Sequence, residues 1–325
     1  MNNCHFHVAL ASDENYAEFV AVVMVSLFES NHWQDFTSIH LLSNGIDQNT
    51  INQLQRHVPE GKGELKVYDV SSLKKDLGID VPATIAITSY ARLFLPDLLD
   101  KSIDRVLYLD CDLVVCEDLK DFYTIPFQGM WVAGVRDTLS HVEVKTSVGL
   151  NECDDYLNAG VLMFNLTAWR ANNVTKQCLE FLVNHDGKVV HHDQGIINGV
   201  CGHTKLVVHP KFNVTTCYYS HSYSLLKKQN VPFYSQQEVE DAISKPAIVH
   251  FTEGFFNRPW IDNSIHPLRH LYRKYRSMTL WPSVSLRKDK RSLGTRVAAW
   301  SFINLPYWLY QLIGRMMSVV SRIIK

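Results

Sequence analysis

Two carboxylates stand one residue apart in the stretch Arg105-Val-Leu-Tyr-Leu-Asp110-Cys-Asp112-Leu-Val-Val115. Its first five residues read as a buried β-strand that presents both aspartates at its carboxyl end. Burying a carboxylate is costly unless a cation or hydrogen bonds compensate. Open α/β sheets bind ligands outside the carboxyl ends of their strands, so the pair points to a hard metal ion and a phosphate-bearing substrate. Asp-x-Asp alone is a weak motif, however. Loop capping or an ion pair with Arg105 would also account for it.

Other residues with chemical potential are spread along the chain. His250 ends the apolar run Ala247-Ile-Val249 and precedes a loop containing Gly254 and Arg258. A lone histidine there is as readily structural as it is a metal ligand. Asp13 and Asn15 precede an apolar helical pattern, where either could cap orphan N–H groups. Arg92 has ion-pair partners within reach in Asp97 and Asp104. The sequence Asn158-Ala159-Gly160 reads as a turn before a strand. His191 and His192 beside Asp193 could mimic a metal cluster but read as solvated neighbours.

The elements that must position these groups alternate. Strand patterns cover His7–Ala11, Ser38–Leu42, Glu64–Val70, Val106–Leu109, Trp131–Val135, Gly160–Asn165, Leu206–Val208 and Ala247–Phe251. Helical spacing of apolar residues marks Asn15–Ser30, Gln48–Val58 and Ser89–Leu99. Strands separated by helical stretches indicate βαβ units and a mixed, mostly parallel sheet.

Composition sets the bounds. With 325 residues and 46% hydrophobic content, the chain can bury a large core. Net charge is −1, unevenly distributed: from Ser285 onward eight Lys/Arg face Asp289 alone, which makes the tail +7 and the body −8. Seven scattered cysteines without a C-x-x-C pair fit a reducing compartment better than a disulfide framework. The N-terminus carries no signal-peptide pattern, and the three Asn-x-Thr triplets at Asn165, Asn173 and Asn213 read as chance matches. Between Arg296 and Arg315 lies an 18-residue window without charge, Val297–Gly314, interrupted by Asn304, Pro306 and Gln311 and rich in Trp and Tyr. Its length borders on a membrane span, but its aromatics and cationic flanks favour a segment lying on an anionic membrane surface. Helices packed on the core are the alternative. Nucleic acid is not indicated, because the basic residues interleave with large aliphatics.

Seven short matches occur in order: Ala11-Ser-Asp13-Glu-Asn15-Tyr16, Thr88-Ser-Tyr90-Ala-Arg92, Tyr108-Leu-Asp110-Cys-Asp112, Asn158-Ala-Gly160-Val-Leu, His192-Asp193-Gln194, Asn198-Gly199, and His250-Phe-Thr with Pro259-Trp260. In these the chain resembles family 8 glycosyltransferases, the retaining enzymes that include bacterial lipooligosaccharide galactosyl- and glucosyltransferases. The resemblance implies a single nucleotide-diphospho-sugar transferase domain of the GT-A type over residues 1–265. A connector at 266–284 and a helical, membrane-associating tail at 285–325 follow. It implies that Ala11, Asp13 and Asn15 hold uridine. Asp110, Asp112 and His250 would ligate manganese, with magnesium as the substitute, and Asp110 would also border the nucleotide. Arg92, Asn158, Ala159 and Gly160 would approach the donor sugar, while Gly254 and Arg258 would contact the diphosphate. Asp193 would bond sugar hydroxyls. Gln194 would lie near the anomeric carbon, where an amide stabilises charge rather than attacking as a nucleophile.

The implied reaction moves glucose or galactose from UDP to a glycolipid or lipopolysaccharide acceptor. Its setting is the cytoplasm, peripheral to the inner membrane's cytoplasmic face. Two departures are visible. Gly195 stands where many relatives carry an acidic residue, and the usual His-x-x-Gly-x-x-Lys-Pro-Trp is stretched, with Arg258 in place of lysine. They leave open a sugar-nucleotide or glycan-binding protein of the same fold. A haloacid-dehalogenase-type phosphatase also carries Asp-x-Asp after a strand, but it would need that motif near its start and a Gly-Asp pair that this chain lacks.

Overall fold

The computed structural model describes residues 5–73, 87–252, 255–306 and 309. Ten strands form two sheets. They are β1 (His5–Asp13), β2 (Phe36–Asn44), β3 (Gly63–Asp69), β4 (Arg105–Leu109), β5 (Leu113–Val115), β6 (Val132–Arg136), β7 (Leu157–Asn165), β8 (Lys205–Val207), β9 (Val214–Thr215) and β10 (Ile248–His250). The larger sheet runs β3-β2-β1-β4-β7-β6-β8, and the smaller β5-β10-β9. In the larger sheet only β7 runs against its neighbours; the other four pairings are parallel.

This topology decides where the chemistry falls. β1, β4 and β6 point the same way, so Asp13, Asp110 and Asp137 emerge at one edge. Antiparallel β7 begins at that edge and delivers Asn158, Ala159 and Gly160 to it. Leaving β4, the chain passes through Asp110-Cys111-Asp112 and enters β5 of the smaller sheet. There Leu113 pairs with His250, and Phe251 N–H donates to the Asp112 carbonyl at 2.8 Å. Backbone pairing therefore brings the acidic pair and the histidine together.

The helix Ala17–Ser30 is apolar on nearly every side and packs against β1, β5 and the helix Arg269–Ser277. All-round hydrophobicity is what a helix wedged inside a core requires. Ser26 Oγ accepts from Val115 N–H at 3.0 Å, and Asn31 Oδ1 accepts from Leu119 N–H at 2.8 Å, so its polar residues serve the loop-borne backbone. The helix Arg269–Ser277 buries Tyr272 and Tyr275 in the same core. The final described helix, Leu293–Asn304, is capped by Ser292 and meets the core through Phe302, whose ring lies 4.3 Å from Phe255 and 5.2 Å from His221. Its Leu293, Val297 and Trp300 are exposed. Among the described residues no helix is long and apolar enough to cross a membrane. Most of the tail beyond it lies outside the described residues.

At the opposite edge β1 to β3 carry a histidine network. His7 Nδ1 lies 3.1 Å from His40 Nε2, and His40 Nδ1 lies 3.0 Å from the Tyr68 hydroxyl. Burial, aided by neighbouring positive charge, holds His7 down to about 4 and His40 to about 3. Both are neutral in the folded chain, whereas the unfolded chain protonates them near their ordinary value of about 6.5. Stability is therefore intact above that value and falls as pH drops from about 6.5 toward 4. Urea unfolding at pH 7, 6 and 5 is expected to show this loss, and a flatter pH dependence in His40→Gln.

Candidate active site

Asp110, Asp112 and His250 each offer a ligand atom, and the three atoms lie within 4.8 Å of one another. His250 is 3% exposed, and its Nε2 lies 2.9 Å from Asp112 Oδ1. Its Nδ1 faces Asn213 Oδ1 at 3.0 Å, and Asn213 Nδ2 donates to Asn158 Oδ1 at 2.8 Å. With the asparagine turned this way, Nδ1 donates to Asn213; Nε2 donates to Asp112 while protonated and, once that proton is lost, offers its lone pair beside the carboxylates. Two acceptors so placed suit a shared cation, and an oriented second ring nitrogen is what a metal-binding histidine needs. Burial alone would lower His250, but Asp112 and Asp110 together outweigh it and raise it. Burial would likewise raise Asp112, but His250 and Arg258 hold it below the usual carboxylate range. The donor set fits a divalent ion such as manganese or magnesium.

Gly160 shapes this cradle. A Cβ there would lie 2.3 Å from His250 Cε1 and 2.7 Å from Asp110 Oδ2. No side chain fits without moving a ligand.

Arg92 ties the acidic groups together. Its Nη2 donates to Asp110 Oδ1 at 2.9 Å, Nη1 to the Ala159 carbonyl at 2.5 Å, and Nε lies 3.0 Å from Asp193 Oδ2. Tyr108 lies under the guanidinium, whose carbon is 4.1 Å from the ring centroid. Its partners are thus Asp110 and Asp193, not Asp97 or Asp104, and Arg105 turns away to the carbonyls of Tyr123 and Ile125. Burial pushes Asp193 up to about 6, with Arg92 opposing and Asp110 adding to the rise.

Gln194 is fixed at both ends of its amide. Oε1 accepts from Ala159 N–H at 2.9 Å, and Nε2 donates to Asp137 Oδ2 at 2.7 Å. His191 and His192 both have left-handed backbones, at φ 58° and 52°, and this turn presents Asp193 and Gln194 at the start of their helix. His191 is not merely a solvated neighbour: its Nδ1 lies 3.2 Å from the Tyr156 hydroxyl and 3.3 Å from Gln194 Nε2. The same turn explains Gly195, where a Cβ would approach the Val190 carbonyl to 2.1 Å.

These residues line a cleft of about 340 Å³ with Asn158, Asp137 and Arg258. Beside it lies a cavity of about 270 Å³ lined by Ala11, Asp13, Tyr16, Thr88 and Cys111, with Arg92, Asp110, Asp112 and Arg258 shared between the two. Asp13 does not cap the following helix; its Oδ1 is buried without a hydrogen-bond partner among the described residues. Asn15 is not in this lining: it is exposed, and its carbonyl accepts from Arg287. Gly254 lies outside the described residues. Asp137, 5% exposed, escaped the sequence reading although it too follows an apolar strand.

A mixed sheet whose ligand-binding edge carries Asp-x-Asp, joined there by a histidine from a second sheet, defines the GT-A class of glycosyltransferase folds. The pattern described as glycosyl transferase family 8 matches residues 7–264, and the chain belongs to that family. That membership removes the phosphatase alternative. Among its relatives is General stress protein A of Bacillus subtilis (strain 168), 27% identical over 86% of this chain and 95% of the relative. A lipopolysaccharide 1,2-glucosyltransferase of Escherichia coli is 25% identical over 87% of this chain and 81% of its own length. The fold matches the galactosyltransferase LgtC, solved with donor and acceptor sugar analogs, at a TM-score of 0.70 and 22% identity, covering 85% of this chain and 96% of LgtC.

Two substitutions test the cation cradle. Asn213→Ala removes the partner that orients His250 and is expected to weaken manganese binding by about 10–100-fold. Gly160→Ala intrudes on the ligands and is expected to weaken it at least as much. Isothermal titration with manganese chloride measures both; unchanged affinity would argue against a metal at these residues.

Proposed function

We propose that this chain is a retaining hexosyltransferase that moves glucose or galactose from a UDP-sugar to a lipid-linked or lipopolysaccharide glycan, with manganese as its ion. The observation that carries this reading is the Asp110–Asp112–His250 cluster at the junction of two adjoining cavities. In this reading the cavity at Ala11 and Asp13 takes the nucleoside and the cleft at Asp193 and Gln194 takes the sugar. Similarity to the E. coli lipopolysaccharide 1,2-glucosyltransferase and to the galactosyltransferase LgtC supports the hexose donor, and the former supports the lipopolysaccharide acceptor.

In this reading Asp13 Oδ1, buried without a partner, accepts from an N–H of the uracil base. When bound, the ion neutralises charge developing on the departing diphosphate. Arg258, 3.5 Å from Asp112, adds a cation on the same side. Arg92 holds the Asp193 carboxylate rigidly, so that it accepts from donor-sugar hydroxyls without rearranging. Gln194 cannot act as a nucleophile, and its amide is pinned by Ala159 and Asp137. The acceptor hydroxyl therefore attacks from the face that UDP leaves. Its proton passes to the departing phosphate oxygen, and the amide dipole of Gln194 stabilises the oxocarbenium-like state. Retention of configuration follows from front-face attack.

The exposed Leu293, Val297 and Trp300 recur at i, i+4 and i+7 on the last described helix, next to Arg296. They form the apolar stripe of an interfacial segment, which sets the enzyme on the cytoplasmic face of the inner membrane.

Purified protein incubated with radiolabelled UDP-glucose or UDP-galactose is expected to release UDP only when manganese is present. Binding without turnover under those conditions would instead indicate a sugar-nucleotide-binding protein. Asp193→Asn is expected to lower turnover at least about 100-fold while leaving UDP affinity within a few-fold, by loss of contacts that act in the transition state. The triple variant L293S/V297S/W300S is expected to move from membrane to soluble fractions with UDP release intact.

A further inference from the structure

The family match ends at residue 264, yet the chain beyond it folds back onto the catalytic domain. Arg287 N–H donates to the Trp260 carbonyl at 2.8 Å, and Asp262 N–H donates to the Arg287 carbonyl at 3.0 Å. The Arg287 guanidinium lies over Phe19, 4.6 Å from the ring centroid, and donates to the Asn15 carbonyl at 2.7 Å and to Glu18 at 3.1 Å. Between this returning segment and the domain runs a groove of about 750 Å³. It adjoins the catalytic cleft, sharing Leu139, Cys217 and Arg258 with it.

The charge of the groove is one-sided. Among the described residues its lining holds Arg258, Arg287, Lys288, Lys290 and Arg291 against a single acid, Asp289. That acid is already neutralised: Arg291 grips both its oxygens at 3.0 Å, and Asn263 donates to it at 3.0 Å. Glu18 and Asp262 neutralise Arg287 and Lys288. Lys290 has no ion pair among the described residues, and Arg258, whose Nη1 lies 3.5 Å from Asp112, keeps its Nε buried with no acceptor among them. One exposed lysine without an ion pair and one buried guanidinium N–H without an acceptor thus remain, among the described residues, in a groove walled in part by Phe255 and Trp260, where a low-dielectric boundary concentrates positive potential.

We propose that this groove is the acceptor subsite and that it takes a phosphorylated sugar, the phosphate bound by Lys290 and Arg258. This rests on the transferase reading, because it assigns the groove to the second substrate. The nucleotide has its own cavity at Ala11 and Asp13. A sugar phosphate supplies what the groove lacks, an anion with several acceptor oxygens beside a hydroxylated ring.

Titration calorimetry on the full chain, saturated with UDP and manganese, tests this with glucose 6-phosphate, glucose and inorganic phosphate as probes. Glucose 6-phosphate is expected to bind at least tenfold more tightly than either other probe. Lys290→Glu is expected to weaken it tenfold or more, Lys290→Arg to retain it, and UDP affinity to stay the same in both variants. Equal binding of the three probes, indifference to Lys290→Glu, or displacement of glucose 6-phosphate by UDP would each overturn the proposal. Failure of UDP itself to bind would instead remove the transferase reading, and Lys290-dependent binding of glucose 6-phosphate would still identify the groove as a sugar-phosphate site.

Discussion

Two carboxylates cannot face one small volume without cations to hold them there, and the arrangement around Asp110 and Asp112 answers that demand from three directions. Arg92 supplies its guanidinium to Asp110, His250 its imidazole to Asp112, and Arg258 a second, looser guanidinium to Asp112. These partners come from positions 92, 250 and 258, so the charge balance is also a folding constraint. The larger sheet fixes where Asp110 emerges, and the β5–β10 pairing fixes His250 against Asp112. Removing one member of such a buried set leaves the others uncompensated, at a cost of about 3–5 kcal/mol. The residues of the candidate site also hold the two sheets together at their common edge.

The sequence exposed most of this scaffold, because its signals are local. Apolar runs located eight of the ten strands within three residues at each end, as with His7–Ala11 inside His5–Asp13 and Gly160–Asn165 inside Leu157–Asn165. β5 and β9, three and two residues long, are too short for periodicity to register, yet β5 is what carries Asp112 to His250. Strand direction is equally invisible in an apolar run, so the reversal of β7 emerges only from pairing. The helical spacing over Ser89–Leu99 breaks into three pieces, with Arg92 opening the 3₁₀ turn between them and Pro96 in the first turn of the last, Leu95–Leu98. A regular helix would carry Arg92 on a different bearing from the one that reaches both Asp110 and Asp193.

The site residues divide along the same line. Asp110 and Asp112 were legible as carboxylates at the mouth of a strand, Asp193 only through the resemblance to family 8 glycosyltransferases, and Asp137 carried the first of these signals at the end of β6. The role of Asp137 depends on Gln194, 57 residues away, and no spacing rule reports that contact. Gly195 shows the reverse case. In sequence it reads as a lost acidic group, whereas in space the left-handed turn at His191 and His192 leaves no room for any side chain. The geometry that presents Asp193 and Gln194 requires this glycine.

The stretched loop after His250 has a similar physical sense. Trp260 stays in the core, 4.7 Å from Phe19 and 5.5 Å from Tyr272 between ring centroids, so the added residues do not displace the Pro-Trp pair. Phe255 and Asn257 of this loop form part of the groove wall. The opposite wall is the segment Arg287–Arg291, which lies beyond the family match. The two walls are joined where Arg291 donates to the Phe255 carbonyl at 3.3 Å and where the tilted Phe255 and Phe302 rings meet. A lengthened loop would expose apolar surface without a covering segment, and the segment would have nothing to pack against without the loop. Arg258 stands where the groove, the cleft and the cavity at Ala11 and Asp13 meet, so the departure from the family pattern falls on the one residue, among those described, that all three share.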